Sequence, residues 1–382
     1  MREDSMNEDQ IEFNKSLSRK QKEASVKGCL RGGDDQAGCC GKIVQAHSIQ
    51  RGKILASIAE GSEGKVYYLG LVPAEDMASM IPEFRLEGIK KFSTFSGFCG
   101  GHDKAIFQPI EDVIFTATDK QKNIYAYRAA AKELHANLES KNFYEVQLGD
   151  KIGQDDFPPH FQATLPLVLQ GLVEVPPFIK EAMLQGAVNH QIRVRHKQCE
   201  HNIAELRQIC DALMRTIDHE HPSEFEHIYY SLDEAYPVAC CASFIPYYDH
   251  DGNRIISKQD EQRMAQSRAT SCFEMKNVLL NIFPEAGRTH VIFTCSKGNQ
   301  AFKDSIERLL KLDDGPLRIG LSNILLNYVE NSAYGPKYIE DNFSQEQITE
   351  IKELFASTIF DPSAFKTGNI NLFAKAPSTP SQ

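Results

Sequence analysis

The feature that most constrains this chain is Cys99-Gly-Gly-His102, in the stretch STFSGFCGGHD, with Cys29, Cys39 and Cys40 upstream in CLRGGDDQAGCCGKIVQAHSI. Two ligands on one tight turn can both reach a tetrahedral ion, and the two glycines permit that turn. Thiolates with an imidazole suit zinc. The expected ligand set is Cys29, Cys39, Cys99 and His102, with Cys40 an alternative to Cys39. A strand-and-loop module of under about 100 residues gains folding energy from such an ion, so a structural zinc is expected to organise the first third of the chain. The other cysteines, Cys199, Cys210, Cys240, Cys241, Cys272 and Cys295, read as small core hydrophobes.

No apolar run reaches the roughly 18 residues that a membrane helix needs, so no membrane association is expected. The polar opening MREDSMNEDQ has no apolar signal core, which points to the cytoplasm. Thiols there are expected to be reduced or metal-bound. The net charge of -10 argues against a dedicated nucleic-acid coat protein. Local basic clusters at Lys15 to Lys27, Arg51 with Lys53, Lys90 with Lys91, and Arg193 to Lys197 read as solvated faces.

The chain length of 382 residues fits two or three domains. Residues 1–27 read as a charged lead-in, and residues 28–118 as the metal module. Within the module GKIVQAHSI and KVYYLGLV are strand candidates, and RGKILASIAEG is a helical turn that Gly61 can stop. Residues 119–224 read as a helical region: Ile124, Tyr127, Ala131, Leu134 and Leu138 recur three and four apart. QDDFPPHFQ interrupts that pattern, and Pro176 and Pro177 open the next helix. Residues 225–362 read as a C-terminal α/β domain, with strands at PVACCASFIP, NVLLNIF and THVIFTCS. Helices are expected near 300–312, near 318–331 and from Ser344, where Ser344 and Gln347 form a capping-box pattern. Residues 363–382 read as a flexible tail. The fold class is α+β.

The upstream cysteines, the strand VQAHSI and the stretch GFCGGHDKAIF together resemble the HNH, or ββα-metal, nuclease family, which is built on a zinc-stabilised treble clef. In that family a cysteine pair precedes a strand ending in the catalytic histidine, and a second zinc knuckle opens the final helix. The resemblance covers roughly residues 28–112. It implies that Cys99 and His102 ligate zinc and that His47 is the general base. It also puts Asp103 where the family binds a catalytic divalent ion, magnesium or manganese. A carboxylate suits so hard an ion. The family's central asparagine has no counterpart between His47 and Cys99; Thr94 stands nearest, and its hydroxyl is expected to share the task of orienting His47. The combination of AHSIQ, FCGGHD and PIED also resembles a group of bacterial proteins, a likeness that carries no activity with it.

Hydrolysis of a phosphodiester needs a group to deprotonate water and positive charge on the phosphate. The expected function is therefore a metal-dependent, HNH-like nuclease acting on nucleic acid, DNA ahead of RNA. By analogy of architecture it would be a bacterial defence or toxin-like effector, whose C-terminal region regulates it, binds a protein partner or pairs with a second copy. The alternative is a non-catalytic zinc module for protein or nucleic-acid interaction. Glu111 and Asp112 could add a carboxylate to the catalytic metal. Asp249, His250 and Asp251 are better explained by the Asp-Gly turn that follows them, His219 and His221 by a polar helix end, and His290 by a satisfied strand position. A cysteine enzyme using Cys240 or Cys241 is the weakest reading, because no histidine and carboxylate pair declares itself.

Overall fold

A computed structural model describes residues 8–31, 39–62, 64–74, 79–219, 222–270, 276–359, 361 and 364–374. Its elements in chain order are α1 (Glu8–Ala24), β1 (Ile43–His47), α2 (Ala56–Ile58), β2 (Lys65–Pro73), β3 (Met80–Gly88), β4 (Thr94–Cys99) and α3 (Gly100–Glu111). There follow α4 (Asp119–Leu148), α5 (Pro159–Leu169), α6 (Pro177–His219), β5 (Phe225–Leu232), β6 (Val238–Phe244) and α7 (Lys258–Thr270). The chain ends with β7 (Val278–Glu285), β8 (Arg288–Ser296), α8 (Gln300–Leu309), α9 (Asp314–Tyr328), β9 (Ser332–Tyr334), α10 (Pro336–Asn342) and α11 (Gln345–Ile359). Helix and sheet are thus mixed in an α+β arrangement.

Two compact units emerge. One comprises residues up to Lys27 with Leu134–Glu205, and the other Gly28–Glu133 with Leu206–Gln382. In the first, the chain at Asp156 approaches α6 so closely that a Cβ on Gly186 would lie 2.3 Å from the Asp156 carbonyl oxygen. Only glycine fits there. Arg193 holds the same segment through an ion pair of 2.5 Å to Asp156.

The second unit is built on a seven-stranded antiparallel sheet in the order β3-β2-β9-β6-β7-β8-β5. Its interior strands β7 and β8 are buried along nearly their whole length. That explains why VLLNIF and THVIFTC read as unbroken apolar runs, the pattern of strands covered on both faces. On one face Phe302, Ile306, Leu321, Leu325, Leu354 and Phe355, from α8, α9 and α11, complete a single core. On the other, Tyr125 of α4 stacks on Phe283 with ring centroids 4.6 Å apart. The β7–β8 turn runs through Ala286 and Gly287, both at positive φ (51° and 78°), the combination a two-residue hairpin of this twist requires.

Several local expectations meet their structure here. Ser344 Oγ accepts the N–H of Gln347, and the Gln347 side chain accepts the N–H of Ser344, closing the capping box. The expected turn at RGKILASIAEG becomes a π-helical turn, Arg51–Leu55, running into α2, with Gly61 at φ +74° beyond it. Part of the segment read as a flexible tail packs instead. Ile370, Leu372 and Phe373 are buried in the core, and Arg318 donates 2.5 Å to the Phe373 carbonyl. The apolar cluster INLF has more to gain from burial than the polar residues around it suggest. Residues 375–382 lie outside the described residues. Among the described residues no helix is long and apolar enough to cross a membrane.

Candidate metal centre and its histidine

The two strands β1 and β4 form a separate antiparallel pair, with Ile43 opposite Cys99 and His47 opposite Thr94. α3 continues directly from β4. Between Val44 and Ala46 the register slips, which leaves Ser96 and Gly97 of β4 opposite Gln45 alone. Such a bulge exposes carbonyls that the partner strand does not use. The segment carrying Cys29 takes them: Gly28 N donates to Ser96 O at 3.3 Å and Leu30 N to Gly97 O at 2.8 Å. Gly97 has to be glycine, since a Cβ there would meet the Phe95 ring at 2.6 Å.

This pairing sets Cys29 beside the strand–helix junction. Cys99 is the N-cap of α3, and its sulfur accepts the N–H of His102. Cys29 Sγ lies 3.2 Å from His102 Nδ1 and accepts the N–H of Cys99. Cys29, Cys39, Cys99 and His102 bring one ligand atom each to within 4.8 Å of one another, so Cys39, not Cys40, completes the group among the described residues. Neighbouring ligand atoms of a tetrahedral zinc sit roughly 3.5 Å apart, given bonds of about 2.0–2.3 Å, and the observed spacing fits that. The cluster, with Cys99 and His102 buried, could hold a metal ion such as zinc.

The electrostatics suit metal binding. The N–H of His102 pulls the Cys99 thiol down to about 6, helped by the backbone and side chain of Cys40 and the side chain of Cys39. Burial pushes Cys29 up, against the N–H groups of Cys99 and Arg31. Cys40 is exposed, while Cys199, Cys210, Cys240, Cys241 and Cys295 are buried as core residues, and burial drives Cys241 up to about 12. Such thiols are inert as nucleophiles. Cys272 lies outside the described residues.

His47 ends β1, half-buried, with Nε2 at 3.0 Å from the main-chain oxygen of Ile89. Burial lowers its pKa, the Ile89 carbonyl opposes that, and the charges of Arg51 and Arg128 add to the lowering. Asp103, in the first turn of α3, has its pKa raised by burial and then by Glu111, with Arg128 opposing. The same two charges therefore act on His47 and on Asp103. They form an ion pair, Arg128 Nη2 to Glu111 Oε1 at 2.6 Å, in which Arg128 is 1% exposed and lies 4.2 Å over the Phe107 ring. Arg128 Nε and Nη1 and Gln50 Oε1 are buried and make no hydrogen bond among the described residues. Thr94 is opposite His47 in the ladder, but its hydroxyl donates to Lys91 O at 2.8 Å. The contact that holds the His47 ring comes from Ile89 instead.

Ile89 and Arg128 are the residues that sequence reasoning missed. A main-chain carbonyl leaves no trace in a sequence. Arg128 did leave one, as the single charge in the buried run Ala126 to Ala131.

The remaining candidates fall away from this centre. Asp249 accepts the N–H groups of Asp251 and Asn253 and pairs with Arg308 at 3.0 Å, so it organises a turn. His290 bonds Tyr229 and the Glu285 carbonyl within the sheet. His219 is the last residue of α6, and His221 lies outside the described residues. Comparison with known protein families, with characterised proteins and with solved structures found no match.

Proposed function

We propose that the chain is a metal-dependent phosphodiesterase of the HNH type, with a structural zinc on Cys29, Cys39, Cys99 and His102. The observation that carries this reading is that β1, which ends at His47, pairs with β4, which runs directly into α3 and Asp103, so one strand–helix unit bears the strand-end histidine, the helix-start carboxylate and two of the four clustered residues. A ring whose Nε2–H donates to a carbonyl presents Nδ1 as its basic nitrogen. His47 would take a proton from water at Nδ1, and its lowered pKa keeps the base neutral at ordinary pH. Asp103 offers the oxygen donor that a magnesium or manganese ion prefers. Such an ion supplies, when bound, charge stabilisation at the phosphate and the leaving oxygen. Glu111 is engaged by Arg128 and is left out of the ligand set. The zinc cluster would hold the strand and helix that carry the two groups.

The substrate under this reading is nucleic acid, DNA ahead of RNA, and the large sheet would serve control or partner binding, as in a defence or toxin-like effector. The second reading is a non-catalytic zinc module. The net charge of -10 and the absence of an asparagine between His47 and Cys99 favour it. The deciding experiment offers plasmid DNA and single-stranded RNA, with magnesium or manganese, to the wild type and to His47→Ala. Cleavage by the wild type and not by the folded variant supports the nuclease. Absence of cleavage by both favours the module.

A further inference from the structure

We propose that Asn331 is a positioning residue for His47, holding the ring in place from the large sheet through Ser48 and Ser93. The proposal rests on the nuclease reading for what the ring does, and on hydrogen-bond geometry alone for how the ring is held.

Asn331 immediately precedes β9 and lies 283 positions after Ser48. It is gripped by β6 at both ends of the residue. Its main-chain oxygen accepts the N–H of Cys241 at 3.2 Å, and its Nδ2 donates to the Cys241 carbonyl at 2.8 Å. A carbonyl only accepts, so the amide can face it only with its nitrogen, and the orientation of the side chain is fixed. The second hydrogen on Nδ2 then points at Ser48 Oγ, 3.0 Å away. Both hydrogens are used, and the side chain cannot turn without giving up a bond.

Ser48 is 2% exposed and follows His47 directly. Having accepted from Asn331, its hydroxyl donates to the Ser93 carbonyl at 3.2 Å and also meets the Ser93 hydroxyl. The Ser48 N–H donates to the same carbonyl at 2.8 Å, and the Ile49 N–H to Ser93 Oγ at 3.2 Å. All of these bonds converge on one residue, and Ser93 has φ 59°, a region that residues other than glycine rarely occupy. Such a conformation persists only where its surroundings over-determine it.

Ser93 stands at the end of the turn that Gly88 opens by accepting the N–H groups of Lys91 and Phe92. Ile89 lies in that turn, and its carbonyl is the partner of His47 Nε2. The two sides of the histidine contact are therefore tied at one point. His47 is bonded covalently to Ser48, and Ile89 belongs to the turn that Ser93 ends. Asn331 grips the knot between them. Without its N–H, strand end and turn are free to shift against each other. A displacement of about 1 Å is enough to cost about 10²-fold in rate.

The test is the imidazole nitrogen–proton correlation spectrum of the full chain carrying isotope-labelled histidine, with His47 assigned by the signals lost in His47→Gln. At a pH of about 8 the ring is neutral, and the wild type is expected to show one tautomer, protonated at Nε2 and held by Ile89. Asn331→Ala should replace it with an averaged mixture of both tautomers. Ser48→Ala, which removes the next link and leaves the Asn331–Cys241 bonds in place, should do the same. The double variant should change the spectrum no more than either single one, because both act through one bond. Asn281→Ala is the control. Asn281 is a buried asparagine of the same sheet that donates to the Tyr125 carbonyl at 3.3 Å, and its loss should leave the His47 signal as in the wild type. In cleavage assays Asn331→Ala should lower kcat by about 10–100-fold and keep KM within about twofold. A His47 signal unchanged in Asn331→Ala, or moved as far by Asn281→Ala, overturns the proposal. If Asn331→Ala does not fold, Ser48→Ala decides in its place. The spectra need no turnover, so a wild type that does not cleave counts against the nuclease reading and not against the positioning of His47.

Discussion

The Nε2 of His47 lies 3.0 Å from the carbonyl oxygen of Ile89. That single contact does for the ring what a side-chain amide would otherwise have to do, and it cannot be lost by substituting Ile89. His47→Ala is therefore expected to abolish cleavage by the usual yield of a general base, about 10²–10⁴-fold, while zinc content stays at the wild-type level. Because burial lowers the pKa of His47, the acid limb of the cleavage rate should have its midpoint below the free-histidine value of about 6.5. A folded His47→Ala protein that cleaves at the wild-type rate would remove His47 from the mechanism.

Cys99 caps α3 and is one of the four residues of the cluster that could hold a metal ion. Cys99→Ser keeps a capping oxygen and removes the thiolate. It should lower bound zinc, measured by mass spectrometry of the intact protein, from about one ion per chain to well below that. Chelation of the wild type should lower the melting temperature by the same mechanism. Full zinc occupancy in Cys99→Ser would show that the cluster is not the site.

Glu111 compensates a guanidinium that is 1% exposed. Glu111→Gln leaves that charge buried and unpaired, a change that costs about 3–5 kcal/mol. Denaturant unfolding should show the loss. Arg128→Met, which removes the charge and keeps the packing on Phe107, should cost less than Glu111→Gln. The reverse order would mean that the ion pair is not what holds α3 to α4.

His227 makes stability depend on pH. Its folded pKa, about 4, lies below the ordinary 6.5, with burial as the main cause, Lys122 adding to it, and Asp119 and Glu226 opposing. A histidine kept neutral in the folded state stabilises fully above about 6.5. It loses that contribution as pH falls towards 4, because the unfolded chain then binds the proton first. The difference is at most about 3 kcal/mol. His227→Gln should flatten the stability profile between those two pH values relative to the wild type, and parallel profiles would contradict the assignment.

At Gly186 the expected effect is steric. A Cβ there would sit 2.3 Å from the Asp156 carbonyl oxygen, a backbone atom that cannot swing away. Gly186→Ala should destabilise by about 1–3 kcal/mol, although alanine is ordinarily the better helix former. Urea unfolding decides it, and a stabilised variant would place Asp156 farther from α6.

Much of this was readable from local pattern. Cys99 and His102 share one turn, so their spacing alone announced a chelating pair, and the apolar runs of β6, β7 and β8 announced buried strands. Ser344 and Gln347 lie within one helical turn of each other and specified their own cap. Long-range pairing was less accessible. Residues 65–72 were legible as a strand, but their partner β9 is a three-residue strand far along the chain, too short to show any alternation. The role of Ile370, Leu372 and Phe373 was hidden by polar neighbours, and the contact that orients His47 uses main chain only.

The hairpin of β2 and β3 interrupts the chain between β1 and β4, and it leans on residues made much later. Tyr67 pairs with Tyr334, and its hydroxyl bonds Glu340, 273 positions onward. A ribosome exposes the cysteines and His47 long before it exposes that partner strand. Throughout most of synthesis, then, the loop that presents Ile89 to His47 has no sheet to brace it. The histidine acquires its full setting only when β9 arrives, so an unfinished chain carries His47 and the cysteines without the framework that surrounds them in the finished fold.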